Sequence, residues 1–173
     1  MLNKLNNTKL IWKNKSFSLS DLFLCVFLIL IADFIGYLSS IAQETSLKAW
    51  YPILNKSILT PPGFVFIIVW SVLYMLIGIS TFLALKNSKK REKVYVLFIF
   101  FIQLCFNLLW SIFFFGMKAP LLAFAEILIY IIIVLSMMKI YKNINKLAYF
   151  LLFPYLFWIL FATYLNFTIL LLN

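Results

Sequence analysis

The sequence predicts an all-α integral membrane protein, a bundle of five transmembrane helices. Three observations carry this. The 173 residues are 65% apolar and only 12% charged, against about 25% charged in typical soluble domains. Five apolar runs are each long enough to cross a hydrocarbon core about 30 Å thick, which takes roughly 20 helical residues. The basic residues are confined to short segments outside those runs. Backbone groups in lipid must bond within their own segment, and the runs are too continuously apolar for the alternating strands of a barrel.

The runs fall near Leu22 to Ala42, Pro62 to Leu85, Val94 to Met117, Ala119 to Met138 and Leu147 to Leu172. Residues 1–21 read as a cytoplasmic amino-terminal segment and 22–173 as a single transmembrane domain. The first run follows Lys4, Lys9, Lys13 and Lys15 and ends on Ser40-Ile41-Ala42, a pattern shared with cleaved signal peptides, but its length and Asp33 favour a retained helix. The segment 43–61, with Trp50, Tyr51, Pro52 and Lys56, is long enough to fold back as a lid. No repeat, low-complexity linker or second domain is visible.

The distribution of Lys and Arg sets the expected orientation, because positive residues in short loops stay in the cytoplasm. Four lie in the amino-terminal segment, five in the second loop (Lys86, Lys89, Lys90, Arg91, Lys93) and three in the fourth (Lys139, Lys142, Lys146), against Lys48, Lys56 and Lys118 on the opposite side. The amino terminus is expected inside, the carboxyl terminus and the Trp50 loop outside, in a bacterial cell membrane. Topology thus accounts for the net charge of +10, and no nucleic-acid recognition module accompanies it.

Composition also excludes chemistry. His is absent, which removes the usual general base and the commonest metal ligand, and with it Ser/His/Asp or Cys/His hydrolysis. Cys25 and Cys105 lie inside apolar runs, where a thiol behaves as a small hydrophobe; neither a disulfide nor a metal site is expected.

Helical spacing brings polar and aromatic residues onto shared faces. Phe66, Trp70 and Tyr74 form one stripe, Gln103, Asn107, Trp110 and Phe114 a second, and Tyr155, Trp158, Ala162, Leu165 and Asn166 a third. Most Phe residues read as lipid-facing. The amides do not: an unpaired amide in hydrocarbon costs several kcal/mol, so Gln103, Asn107 and Asn166 should point inward, to bond another helix or to line a cavity. Asp33 and Glu126, the acids within the spans, are functional candidates, with a structural hydrogen bond the expected role for each. Pro61-Pro62 should fix the start of the second helix, Pro154 should kink the fifth, and Ala32, Gly36 and Ser40 form a small-residue ridge for close packing.

Four blocks of this sequence resemble the tryptophan-rich sensory proteins, or translocator proteins, once called peripheral-type benzodiazepine receptors. The first holds Trp50-Tyr51, Pro61-Pro62, Val69-Trp70, Leu73-Tyr74 and Gly78. The second holds Gln103-Leu104, Asn107 and Trp110-Ser111, and the third Phe114-Phe115-Gly116. The last holds Pro154-Tyr155-Leu156, Trp158, Phe161-Ala162 and Leu165-Asn166. The resemblance implies a five-helix bundle whose first loop covers a pocket for porphyrins, including heme, and for drug-like aromatic molecules. It places Trp50 in the lid and Trp70, Asn107, Trp110, Trp158, Ala162 and Leu165 in the pocket. It also implies a homodimer, with the lipid bilayer as the other partner and no required cofactor.

The chain departs from the family pattern at Phe64 and Ile68, where Trp and Pro are common, and nothing basic follows Lys146 to complete the mammalian cholesterol motif. The third helix lacks a small-residue ridge for a dimer. Three functions follow from the resemblance. The first is a receptor or sensor of tetrapyrroles acting on their metabolism or on a stress response. The second is a light- and oxygen-dependent porphyrin-degrading enzyme with Trp70 and Trp158 as redox-active indoles. The third, a porphyrin or lipid transporter, lacks the inverted repeat and charged pathway that alternating access uses.

Overall fold

The computed structural model describes residues 17–173, so Lys4, Lys9, Lys13 and Lys15 lie outside the described residues. Among the described residues five spans are present, each long and apolar enough to cross a membrane. The first is α1, Leu19–Ala49. It opens on a capping box: the Asp21 N–H donates to Ser18 Oγ at 3.2 Å and the Ser18 N–H to Asp21 Oδ2 at 3.0 Å. Lys86, at the far end of the second span, pairs with the same carboxylate at 2.9 Å and so joins the two ends.

α1 is longer than its apolar run. Its 31 residues rise about 46 Å, well beyond a hydrocarbon core of about 30 Å. Residues 43–49, expected as part of the lid, are helical instead. Polar side chains made them read as loop, yet each has a helical use: Lys48 pairs with Glu44 one turn back at 2.7 Å, Gln43 Nε2 donates to Ser111 Oγ at 3.0 Å, and the buried Ser46 hydroxyl donates to the Phe115 carbonyl at 2.5 Å. The lid therefore begins at Trp50, with a short 3₁₀ turn over Tyr51–Ile53.

α2, Gly63–Asn87, starts directly after Pro61-Pro62, where missing N–H donors are harmless. α3, Lys90–Ser111, runs on into a π-helical turn over Ile112–Gly116. A tight connection through Lys118, held at the left-handed φ of 51°, reverses the chain into α4, Pro120–Ile144. The fifth span consists of α5, Lys146–Leu151, and α6, Phe153–Leu172. Pro154 thus occupies the first turn of a new helix instead of kinking a continuous one. The break falls at Leu152 (φ −88°, ψ −7°), whose N–H turns back to the Tyr149 carbonyl at 3.2 Å.

Small residues set the α1–α2 contact. Ala32 is fully buried; a Cβ on Gly36 would collide with the Tyr74 ring, and one on Gly78 would lie 2.7 Å from the Ile29 Cα. The third member of the predicted ridge is different. Ser39 is buried, whereas Ser40 is exposed and donates to its own Tyr37 carbonyl at 2.7 Å, since seven residues, not eight, complete two helical turns. Across the bundle, Ser80 Oγ donates to the Ala148 carbonyl at 2.7 Å and fastens α5 to α2. Phe23, Phe27, Leu30 and Phe34 of α1, with Ile129 and Ile132 of α4, are exposed and face lipid, as does Cys105 on α3.

Candidate functional site

The three stripes meet inside the bundle through hydrogen bonds. Tyr74 on α2 donates to Asn107 Oδ1 on α3 at 2.7 Å, and Tyr155 on α6 donates to Gln103 Oε1 at 2.6 Å. The Tyr130 hydroxyl of α4 contacts that of Tyr155 and lies 3.4 Å from Gln103 Oε1. All five side chains are buried. Gln103 Nε2 finds no partner among the described residues, but Gln103 and Asn107 each bond a neighbouring helix through one end of the amide. Asn166 does the same from α6, donating to the Pro120 carbonyl at 3.1 Å.

Aromatic rings enclose this polar layer. Trp70 stacks on Tyr74 with centroids 5.4 Å apart and meets Tyr155 edge-on at 6.4 Å. One turn nearer the lid, Phe66 meets Trp158 edge-on at 5.6 Å. Such pairs favour offset or edge-to-face geometry and contribute about 0.5–1.5 kcal/mol each beyond burial. Trp158 also forms one wall of an open groove of about 480 Å³ between α2 and α6, with Val69, Val72, Leu73, Pro154 and Phe161. Ile68, one of the departures from the family pattern, lines it too, while Phe64 is exposed at the start of α2.

The remaining predicted residues lie apart. Trp50 packs edge-on against Phe114 at 5.6 Å, and Trp110 stacks on the same ring at 5.0 Å. Tyr51 meets Phe115 at 5.6 Å; burial pushes its phenol pKa up. Trp50 thus covers the end of α3 and not the Trp158 groove, because the π turn swings Phe114 and Phe115 under the lid. Trp110 borders both groups, Ala162 packs on the main core one turn beyond Trp158, and Leu165 is buried beyond it.

The acids differ from expectation. Asp33 is exposed and makes no hydrogen bond among the described residues, and neither Glu126 oxygen has a partner there although the residue is buried. The structural hydrogen bond expected for each is not formed, since no donor side chain on a packed neighbour reaches them. Tyr130 was absent from the predicted set; its sequence signal was a mid-span hydroxyl four residues after Glu126. No cluster of three metal-ligating side chains exists among the described residues.

One set of contacts holds the lid's own turn and two ties fasten it to the end of α6. Lys56 Nζ donates to the carbonyls of Tyr51, Pro52 and Leu54 at 2.9, 3.2 and 2.7 Å and sits 5.0 Å over the Tyr51 ring. Asn55 and Asn173 exchange hydrogen bonds, Asn55 N–H to Asn173 Oδ1 at 2.9 Å and Asn173 Nδ2 to the Asn55 carbonyl at 3.0 Å. Ser57 and Tyr164 share a hydroxyl contact at 2.9 Å. Replacing Lys56 by Met removes all three carbonyl contacts at once. Limited proteolysis within 50–61 should accelerate several-fold, and an unchanged cleavage rate would show that the other two ties suffice.

A family model described as the TspO/MBR family matches residues 25–172. The chain belongs to the TspO/MBR family. It is 41% identical over 143 residues to the tryptophan-rich protein TspO of Archaeoglobus fulgidus, covering 80% of this chain and 90% of that protein. It is 40% identical over 141 residues to the protein of the same name in Chlorobaculum tepidum, covering 80% and 89%. It is 35% identical over 124 residues to the tryptophan-rich sensory protein of Cereibacter sphaeroides, covering 72% and 77%. As a TspO/MBR protein it is integral to a lipid bilayer, and each of its Trp residues in the matched region, Trp50, Trp70, Trp110 and Trp158, packs against another aromatic ring.

Proposed function

We propose that this protein is a membrane receptor for porphyrin-type tetrapyrroles and similar flat aromatic ligands, with the basic end of the bundle in the cytoplasm and the lid outside. The observation that carries the reading is the groove beside Trp158. At about 480 Å³ it falls within the range of about 300–1,000 Å³ usual for ligand pockets, its walls are apolar, and the Phe66 and Trp158 rings at its edge offer stacking surfaces. Behind them the hydroxyl and amide groups of Tyr74, Asn107, Gln103 and Tyr155 are mutually bonded, a supply of polar contacts that a macrocycle reaches by exchanging partners. The site holds no nucleophile and no base, which suits recognition better than turnover.

The test is a titration of the purified protein with protoporphyrin IX, following Trp quenching and the Soret band in the dark. Wild type should saturate, Trp158→Phe should weaken binding about tenfold, roughly the 1.4 kcal/mol of one lost aromatic contact, and Asn107→Ala should weaken it less. Equal affinity in all three proteins would remove the ligand from this groove. Repeating the titration under illumination separates receptor from enzyme: porphyrin loss that needs Trp70 and Trp158 would assign photo-oxidation to the protein.

A further inference from the structure

The buried polar atoms without partners are concentrated on three helices. Glu126 is 5% exposed, and neither carboxyl oxygen meets a donor among the described residues. The same holds for the ring N–H of Trp110, the side-chain NH₂ of Gln103 and the side-chain carbonyl of Asn166, with Gln103 and Asn166 almost fully buried.

Ties already described fix where these atoms lie. Tyr130, bonded toward Gln103 and stacked 6.4 Å from Phe106, sets the register of α4 against α3. Tyr130 with Tyr155, and Pro120 with Asn166, set it against α6, the two pairs running in opposite chain directions as antiparallel helices require. Glu126 is one turn, about 6 Å, nearer the lid than Tyr130. It therefore stands level with Asn107 and Trp110 on α3 and between the two α4–α6 ties. Ala123, one turn before it, is fully buried against Phe114, Phe115 and Ile169, which closes the site on the lid side. The Lys and Arg residues of the spans sit near the helix ends and none lies mid-span beside Glu126, so the chain provides no counter-charge at this level. Buried donors and acceptors left unpaired are costly. The Glu126 carboxyl and the Trp110 N–H, at one level of the bundle, together offer an acceptor and a donor to a guest that has both.

We propose that α3, α4 and α6 enclose a binding site centred on Glu126 for a small O–H or N–H donor, supplied either by water or by the polar terminus of a ligand. The guest donates to the Glu126 carboxyl and accepts from the Trp110 N–H. The site itself is independent of the tetrapyrrole reading; only its occupation by a ligand terminus rests on that reading.

A guest site and a dry, uncompensated carboxyl predict opposite signs for one substitution. With a guest bound, Glu126→Leu evicts it and strands Trp110, so Tm should fall by several degrees, while Glu126→Gln, which still hydrogen-bonds, stays near wild type. With no guest, Glu126→Leu removes an unsatisfied group and Tm should rise. The infrared carboxyl band lost in Glu126→Gln provides a second readout if Glu126→Leu does not fold. A band at the lowered frequency of a hydrogen-bonded carboxyl, without added ligand, supports the site with water as the guest, and a shift on adding protoporphyrin IX supports the ligand terminus. A raised Tm in Glu126→Leu, or a band that stays at the frequency of a free carboxyl with and without protoporphyrin IX, overturns the site. Should wild type fail to bind protoporphyrin IX while the Tm order and the lowered frequency hold, the tetrapyrrole reading falls and the site stands.

Discussion

Gly78→Leu should leave no monodisperse protein in detergent, and Gly78→Ala should lower stability by about 1–3 kcal/mol. At this position α1 and α2 touch backbone to backbone: the added Cβ would sit 2.6 Å from the Ile29 Cγ1, 2.7 Å from its Cα and 2.8 Å from its N. A side chain alone could rotate away, but a helix backbone cannot without separating the helices. The contact is central, for Ala32 and Ile77 beside it are fully buried. In lipid, where apolar surface gains nothing from leaving water, close packing of this kind supplies much of the association. The contrast is Gly63, where a Cβ would meet nothing within 4 Å. Gly63→Ala should be neutral, and a thermal-unfolding comparison of the two alanine variants checks the assignment. Equal stability in both would refute it.

The second large effect is expected at Gln103. Gln103→Leu removes the acceptor of the Tyr155 hydroxyl and the more distant acceptor of the Tyr130 hydroxyl while keeping side-chain volume. The two tyrosines still touch each other, but a single contact cannot satisfy both donors, and a buried donor without an acceptor costs about 1–3 kcal/mol. Stability should fall by that amount. Adding Tyr155→Phe to Gln103→Leu should recover part of the loss, because deleting both partners leaves fewer polar atoms stranded. If the double variant is as unstable as the sum of the singles, the tyrosine hydroxyl has another partner and the polar layer is wired differently.

Much of this was legible in the sequence, for identifiable reasons. Span number follows from apolar run length, which depends only on the bilayer, and the inward direction of Gln103, Asn107 and Asn166 follows from the cost of an unpaired amide. Features that depend on which helix a residue meets were not legible. The polar run Gln43–Lys48 looked like loop because its partners, Ser111 and Phe115, lie almost seventy residues away. Pro154 announced a disturbance, but only the α5–α2 tie through Ser80 explains why a break at Leu152 replaces a bend. Each stripe described one helix and could not say which stripes meet: Phe66 and Trp70 lie near the Trp158 face. The resemblance grouped Trp50 and Trp110 around the same pocket, whereas they pack on Phe114, since a π turn shifts the side-chain sequence around the helix by an amount that periodicity does not reveal. The acids were the hardest, because a carboxyl inside a bundle makes the same pattern whether or not a donor faces it.

The break at Leu152 divides the fifth span into a fixed stub and a long lever. α5 is fastened to α2, whereas α6 leans mainly on α4 and borders α2 across the groove. With 20 residues, α6 is about 30 Å long, so a tilt of about 5° at its proline-marked base displaces its tip by roughly 2.6 Å. That tip carries Asn173, which holds Asn55 in the lid. Widening the groove and pulling on the lid would therefore be one motion: on the proposed reading, a ligand wedged between Val72 and Trp158 would tug on the loop about 22 Å farther along the helix, and the bilayer's lateral pressure on the same helix would push back.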